Sequence, residues 1–220
     1  GEDDFLSVIV SNLGGGKTDG VIRQRLALTA EIAPDGSVVD TLRLTRAHHG
    51  VPGETFSGVT NNSYLRFYVP AGSQLVSAEG FGLPEWATFG PVEPDLGNDD
   101  TLAAVEGVHE TDALTGVESW AELGKTVFAH WQVLKPGEER TVVLRYRLPA
   151  RIMPDAGAWR LYVQQQAGRR LDTVEAQVLV PSAWQVRERF PAAAGSEPTS
   201  FAATLDTDAF FGLTFTQANP

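Results

Sequence analysis

Carboxylates beside aromatic rings are the residues in this sequence best suited to chemistry. Glu85 adjoins Trp86, and Glu118 and Glu122 flank Trp120. Two carboxyl groups across a sugar ring can hydrolyse a glycosidic bond, and an indole face can stack on the ring itself. Hydrolysis needs a defined cleft, and no motif here announces one, so binding is the favoured use. Trp86 and Trp120 therefore stand as candidate ligand-binding residues, and no catalytic residue is assigned. A second acidic group, with Asp95, Asp99 and Asp100, offers oxygen ligands of the kind calcium takes. The D-x-D-x-D-G spacing of an EF-hand is absent, so a solvated acidic loop is the default. Calcium is the one cofactor the residues suggest; no other is expected.

Other motifs carry less. Leu13-Gly14-Gly15-Gly16-Lys17-Thr18 resembles a phosphate loop, but the first glycine of that pattern falls on Ser11. The residues that follow alternate as a strand, so the helix N-terminus such a loop requires is missing. His48, His49, His109 and His130 form no pair with zinc-ligand spacing. His130, opposite Trp131 on a strand, reads as a surface residue. No G-x-S-x-G elbow supports a serine nucleophile. Gln165 is expected inward and hydrogen-bonded, with Gln164 and Gln166 on the other face.

The elements that must position these residues are strands. Leu26, Leu28, Ala30 and Ile32 alternate with polar residues, Pro34-Asp35-Gly36 turns the chain, and Leu42 and Leu44 return inward. This predicts an antiparallel hairpin over 21–46. Thr126 to Val133, the turn Lys135-Pro136-Gly137-Glu138, and Arg140 to Leu148 predict a second hairpin by the same reasoning. In its returning strand Val142, Leu144, Tyr146 and Leu148 share one face. Trp131 and Trp159 fall in strand patterns and are expected in the core. Further strands are predicted at 5–10, 64–69, 75–79, 117–123, 159–165, 173–180, 185–189, 201–205 and 210–216. Residues 81–111 read as a long surface excursion. About a dozen strands and no helix predict an all-β, immunoglobulin-like antiparallel β-sandwich over 21–150. A smaller β-subdomain is expected from 151–220 with 1–20, one enlarged sandwich being the alternative.

Bulk composition excludes some partners. The 220 residues carry a formal net charge of −11 and no cysteine. Such a surface repels phosphate backbones, so nucleic acid is excluded as a partner. The absence of cysteine removes disulfides and thiolate sites but leaves the compartment open. The acidic opening lacks the basic region of a signal peptide. The expectation is a segment of a longer protein, with any membrane tether in a part absent from this sequence.

Four phrases in order, NLGGGKTDG, YLRFYVPAGSQL, GKTVFAHWQVLKPGEERTVVLRYRLP and WRLYVQQQAG, span residues 12–168. Together they resemble the C-terminal extracytoplasmic region of bacterial membrane-anchored proteins carrying the domain of unknown function numbered 4012. The resemblance implies a location outside the cytoplasmic membrane, tethered in the full-length protein, in an envelope context. It implies no reaction and no catalytic residues. The expected function is a non-enzymatic module of an envelope protein that contacts a protein or a surface polysaccharide. The alternatives are a carbohydrate-binding module assisted by calcium, and an accessory domain of an enzyme whose active site lies elsewhere.

Overall fold

The structure is a computed structural model describing residues 3–14, 16–85, 100–105, 107–155, 157–169, 171–192 and 197–218, with side chains undescribed at 100, 102, 103 and 171. Its strands are β1 (Asp4–Asn12), β2 (Ile22–Ile32), β3 (Ser37–His48), β4 (Asn61–Pro70), β5 (Gln74–Glu79), β6 (Glu110–Thr111) and β7 (Glu118–Glu122). They continue as β8 (Lys125–Leu134), β9 (Glu139–Arg151), β10 (Ala158–Gln164), β11 (Leu171–Leu179), β12 (Trp184–Phe190), β13 (Ser200–Leu205) and β14 (Ala209–Gln217). Among the described residues a 3-10 turn, Thr18–Val21, and a six-residue helix, Asp100–Val105, are the helical elements.

Two sheets pack face to face as an all-β sandwich, as the alternation predicts. The eight-stranded sheet runs β12-β14-β10-β1-β4-β8-β7-β6 and the six-stranded sheet runs β13-β11-β2-β3-β9-β5. The β2–β3 hairpin forms in the expected register, with Leu26 opposite Leu44 and Leu28 opposite Leu42. Its turn requires a glycine. Gly36 has φ +82, and a Cβ there would lie 2.3 Å from the Ile152 carbonyl oxygen. That close approach seats the segment after β9 against the start of β3.

Three expectations need correction. The sandwich is not purely antiparallel: β1 pairs with β10, and β11 with β2, in parallel. The second predicted hairpin is not one. β8 pairs with β4 and β7, while β9 pairs with β3 and β5, so the Lys135–Glu138 turn carries the chain from one sheet to the other. A tight Pro-Gly turn serves a hairpin and an inter-sheet corner alike, so local sequence does not separate them. Finally, neither sheet breaks near residue 150: β10 and β14 extend the sheet that holds β4, and β11 and β13 extend the one that holds β2. Trp159, Phe211 and Phe215 share one apolar core with Leu26, Leu44 and Leu65.

The parity of β8 also differs from expectation. Phe128, Gln132 and Leu134 face the core, with His130 beneath Phe81 at a ring distance of 5.4 Å. Trp131 lies on the outer face, half-buried against Tyr64, so it is not a core residue, and His130 is not simply a surface one. The outer face here carries its own apolar cluster of Trp120, Val127 and Ala129. With both faces of β8 covered, alternation alone does not show which is inner.

Candidate functional site

The candidate site is a cavity of about 420 Å³ at the end of the sandwich where β1, β3 and β10 begin and β9 ends. Such a volume lies within the usual range of small-ligand pockets. Asp4, Trp159 and Thr214 supply its polar lining, Val38, Leu148 and Ile152 its apolar walls. Exposed Arg151, Met153 and Arg160 form the rim.

Each side chain is set by strand parity. Asp4 starts β1 on the face that continues with Leu6 and Val8, and it is only 4% exposed. Asp40 lies on the inward face of β3 with Val38, Leu42 and Leu44, fully buried, opposite Tyr146 of β9. Trp159 and Thr214 come from the neighbouring strands β10 and β14, Thr214 being paired with Ala158.

Burial without partners distinguishes this region. Asp4 Oδ1 accepts a hydrogen bond from Phe5 N at 2.8 Å, but Oδ2 has none. Both carboxyl oxygens of Asp40, the Tyr146 hydroxyl, the Trp159 Nε1 and the Thr214 hydroxyl also lack a partner of proper geometry. Six of the eight such buried atoms among the described residues therefore belong to this one cluster. Asp40 nonetheless engages both the Asp4 carboxyl and the Tyr146 hydroxyl, so the Trp159 and Thr214 atoms are the ones left unpaired, at about 1–3 kcal/mol each.

The electrostatics follow from burial. Desolvation raises the Asp4 carboxyl to about 7, opposed by the Asp40 side chain and the Phe5 N–H. Desolvation raises Asp40 well above the carboxylate range, and the adjacent Asp4 raises it further. Two carboxyls this close in a dry setting do not both ionise, so near neutral pH the pair retains a proton. The Tyr146 hydroxyl, raised by burial and then by both aspartates, stays protonated. The cluster can thus offer donors and acceptors together. Only Asp4 of the two carboxyls lines the cavity. Acid–base work on one substrate needs both within reach of it, so the arrangement suits binding better than hydrolysis.

The residues singled out from sequence fall elsewhere. Trp86, Asp95 and Asp99 lie outside the described residues, and Asp100 opens the short helix with its side chain undescribed. Trp120 sits on the outer face of the larger sheet and is 5% exposed. His109 stacks on its indole at 4.1 Å with an interplanar angle of 5°. Its Nε1 donates to Glu122 Oε2 at 2.8 Å, and Tyr68 donates to the other oxygen of Glu122. A sugar ring could reach this indole only by displacing His109. Among the described residues no three His, Asp or Glu side chains converge on a metal position. Gln165 is inward as expected, donating to the Arg169 and Leu205 carbonyls, while the Gln166 amide bonds to the backbone of Val10. The glycine loop ends in a structural contact. Asn12 donates to Gly16 O and Thr18 Oγ1 across it.

Sequence reasoning placed Leu42 and Leu44 inward without extending the same parity to Asp40 and Arg46. That extension was the available signal: a charged residue in phase with an apolar stripe is buried.

No family model and no curated protein matches this chain. Solved structures similar to it share little sequence. One is a candidate nutrient binding protein of Legionella pneumophila, 10% identical over 96% of this chain and 71% of that one, with a TM-score of 0.45. Another is an M1 zinc metallopeptidase of Deinococcus radiodurans, 11% identical, covering 88% of this chain and 42% of that one, TM-score 0.33. A third is the acetylcholine-binding protein type 1 of Biomphalaria glabrata, 11% identical over 95% and 93%, TM-score 0.25. The protein is an all-β sandwich.

Proposed function

We propose that this chain is a non-enzymatic binding module that admits a small polar ligand, or one residue of a larger one, into the cavity beside Asp4. One observation carries the reading: a preformed cavity of about 420 Å³ lies beside the buried Asp4–Asp40 pair, with Trp159 and Thr214 in its lining. Such a cavity, with a few polar groups among apolar walls, is the usual form of a small-ligand site. The resemblance of the sequence to membrane-anchored extracytoplasmic proteins supports an envelope setting, with the tether in a segment beyond this chain. In that setting the ligand belongs to an envelope polysaccharide or to a partner protein.

The test is a thermal melt against a panel of small polar compounds and envelope polysaccharides, on the wild type and on Ala150→Phe. Ala150 lines the cavity at a half-buried position, so a larger ring occupies cavity space without entering the core. A ligand of the native state raises the melting temperature by mass action. The expected result is a shift in the wild type that Ala150→Phe loses. A shift that persists undiminished in that variant would place binding elsewhere.

A further inference from the structure

We infer that the start of β1 is a pH-sensitive strap: with Asp4 protonated, residues 4–6 stay seated against the core, and with Asp4 ionised they swing out while the rest of β1 holds. The strap does not depend on what the cavity holds. It follows first from how β1 is gripped. Among the described residues Asp4, Phe5 and Leu6 pair on one side only, with Leu161, Tyr162 and Val163 of β10. β4 joins at Ser7, opposite Tyr68, and stays paired to Asn12. Beyond Ser7 the Gln166 side chain also bonds Val10 N and O. Ser7 is therefore the swing point. On the outer face Phe5 lies against Tyr162 at a ring distance of 5.9 Å, with Lys125 Nζ 4.3 Å from its ring centre. On the inner face Asp4 is 4% exposed and Leu6 0%, so seating the strap takes a carboxyl group into the core. Phe5 and Leu6 favour the seated form at every pH; only Asp4 makes the balance vary.

The groups around that carboxyl do little to hold its charge. β3 brings Asp40 and β9 brings the Tyr146 hydroxyl, both buried. Arg151 of β9 and Arg160 of β10 line the cavity beside it, but they pair at the rim with Asp35 at 2.8 Å and Asp3 at 2.9 Å. β14 brings Thr214, which is uncharged. Lys125 of β8 shares a surface depression with Asp3 and Asp4, on the Phe5 side. Only the Asp40 side chain and the Phe5 N–H answer an ionised Asp4, and burial outweighs them, raising its carboxyl from 3.8 to about 7. Swung out into water, the carboxyl returns to its ordinary value. Asp40, raised first by its own burial, stays protonated in both forms. The seated form thus holds one more proton than the open form between about pH 4 and 7. Each pH unit across that window favours the open form about tenfold, and the preference levels off above 7. Asp4 also lines the cavity, so its departure widens that end.

Residue-resolved amide hydrogen exchange by NMR tests the strap, with protection factors taken at pH 5 and pH 7.5 so that the intrinsic pH dependence of exchange cancels. The bonded amides among residues 4–6 are compared with those of Leu42 and Leu44 in β3. Each pH is repeated in about 0.5 M urea, because a local opening exposes little surface and is insensitive to urea, whereas global unfolding is not. The expected result is protection of residues 4–6 at pH 5 that falls on the order of fiftyfold by pH 7.5 and does not respond to urea. Leu42 and Leu44 should exchange more slowly and respond to urea. In Asp4→Asn, which keeps shape and cannot ionise, the fall should shrink to less than about threefold. Residues 4–6 unprotected at pH 5, or equally protected at both pH values, overturn the strap. Exchange of those residues with the urea response of Leu42 also overturns it, because they then open only with the whole fold. The wild-type comparison stands alone if Asp4→Asn does not fold; if it folds and the full pH dependence persists, Asp4 is not the switch.

Discussion

Asp40 and Arg46 lie on the same inward face of β3, six residues and roughly 20 Å apart, and their surroundings are opposites. Arg46 is fully buried with four acceptors around it: Gln24 Oε1 at 3.1 Å, Gln132 Oε1 at 2.9 Å, Asn61 Oδ1 at 3.2 Å and Ser63 Oγ at 3.4 Å. Asn61 donates onward to Thr18, and Arg169 pairs with Asp19 at 2.6 Å. His48 closes the same end, accepting from Gly50 N while its Nε2 meets the Val59 carbonyl oxygen at 2.9 Å. Burial lowers the Arg46 guanidinium to about 9, still protonated at neutral pH. At the other end Asp40 meets only the Asp4 carboxyl and the Tyr146 hydroxyl. Both ends bury charge in one core. Only the arginine end also provides nearly every hydrogen bond that charge requires, which is what a region shaped for folding does. The acid end packs two carboxyls and the Tyr146 hydroxyl against one another beside a cavity, where burial and their mutual repulsion oppose ionisation.

The contrast breaks first at Arg46. Arg46→Met takes their donor from the buried Gln24 Oε1 and Gln132 Oε1, while Asn61 Oδ1 keeps Ser63, and is expected to lower the unfolding free energy by about 3 kcal/mol, measured by urea denaturation. A loss under about 1 kcal/mol would show the network to be incidental.

Next comes pH. The folded pKa of Asp4 is raised to about 7 from 3.8, and that of Asp40 is raised as well. The folded state therefore holds more protons than the unfolded chain between those values. Stability from this source is full below about pH 4 and lost as pH rises through 7, by on the order of 3 kcal/mol. His130, lowered by burial, acts with the opposite sign just below 6.5. The exposed carboxyls lowered by local hydrogen bonds, such as Asp35 and Asp112, act only in more acid solution. Unfolding curves from pH 4 to 8 should fall overall, and a rise across that range would remove the acid pair from the account.

Smaller effects sharpen the comparison. Trp120→Phe removes the bond to Glu122 and should cost about 1–2 kcal/mol in the same denaturation measurement. Because this cluster is hydrogen-bonded within itself, the variant should not change ligand affinity. Arg151→Ala breaks an exposed, solvent-screened pair with Asp35 and should leave the urea midpoint unchanged within error.

The fold was largely legible because its strands obey period 2 and its turns carry Gly, Pro and Asp where the backbone needs them. β2, β3 and the inward face of β9 follow directly from Leu26, Leu42 and Tyr146. Partner choice was not legible. The parallel pairs β1–β10 and β2–β11 join residues about 150 apart in sequence, and no local pattern encodes them. The site inherits that limit. Parity on β3, had it been extended from Leu42, puts Asp40 inside, but that Asp4 meets it depends on which strand lies across the sandwich. Trp120 looked available because tryptophan near a loop suggests a platform; the His109 ring stacked on it is a contact between two side chains eleven residues apart.

The central claim is that the acid end carries a stability cost that the arginine end does not. The most direct test is the urea midpoint of Asp40→Asn against the wild type at pH 7.5. The amide cannot ionise and can donate to Asp4, so the account predicts a higher midpoint, by about 2–3 kcal/mol of unfolding free energy, shrinking toward zero at pH 4. A lower midpoint at pH 7.5 would mean that the carboxyl pair holds the fold together, and would contradict the assignment of this end to a ligand.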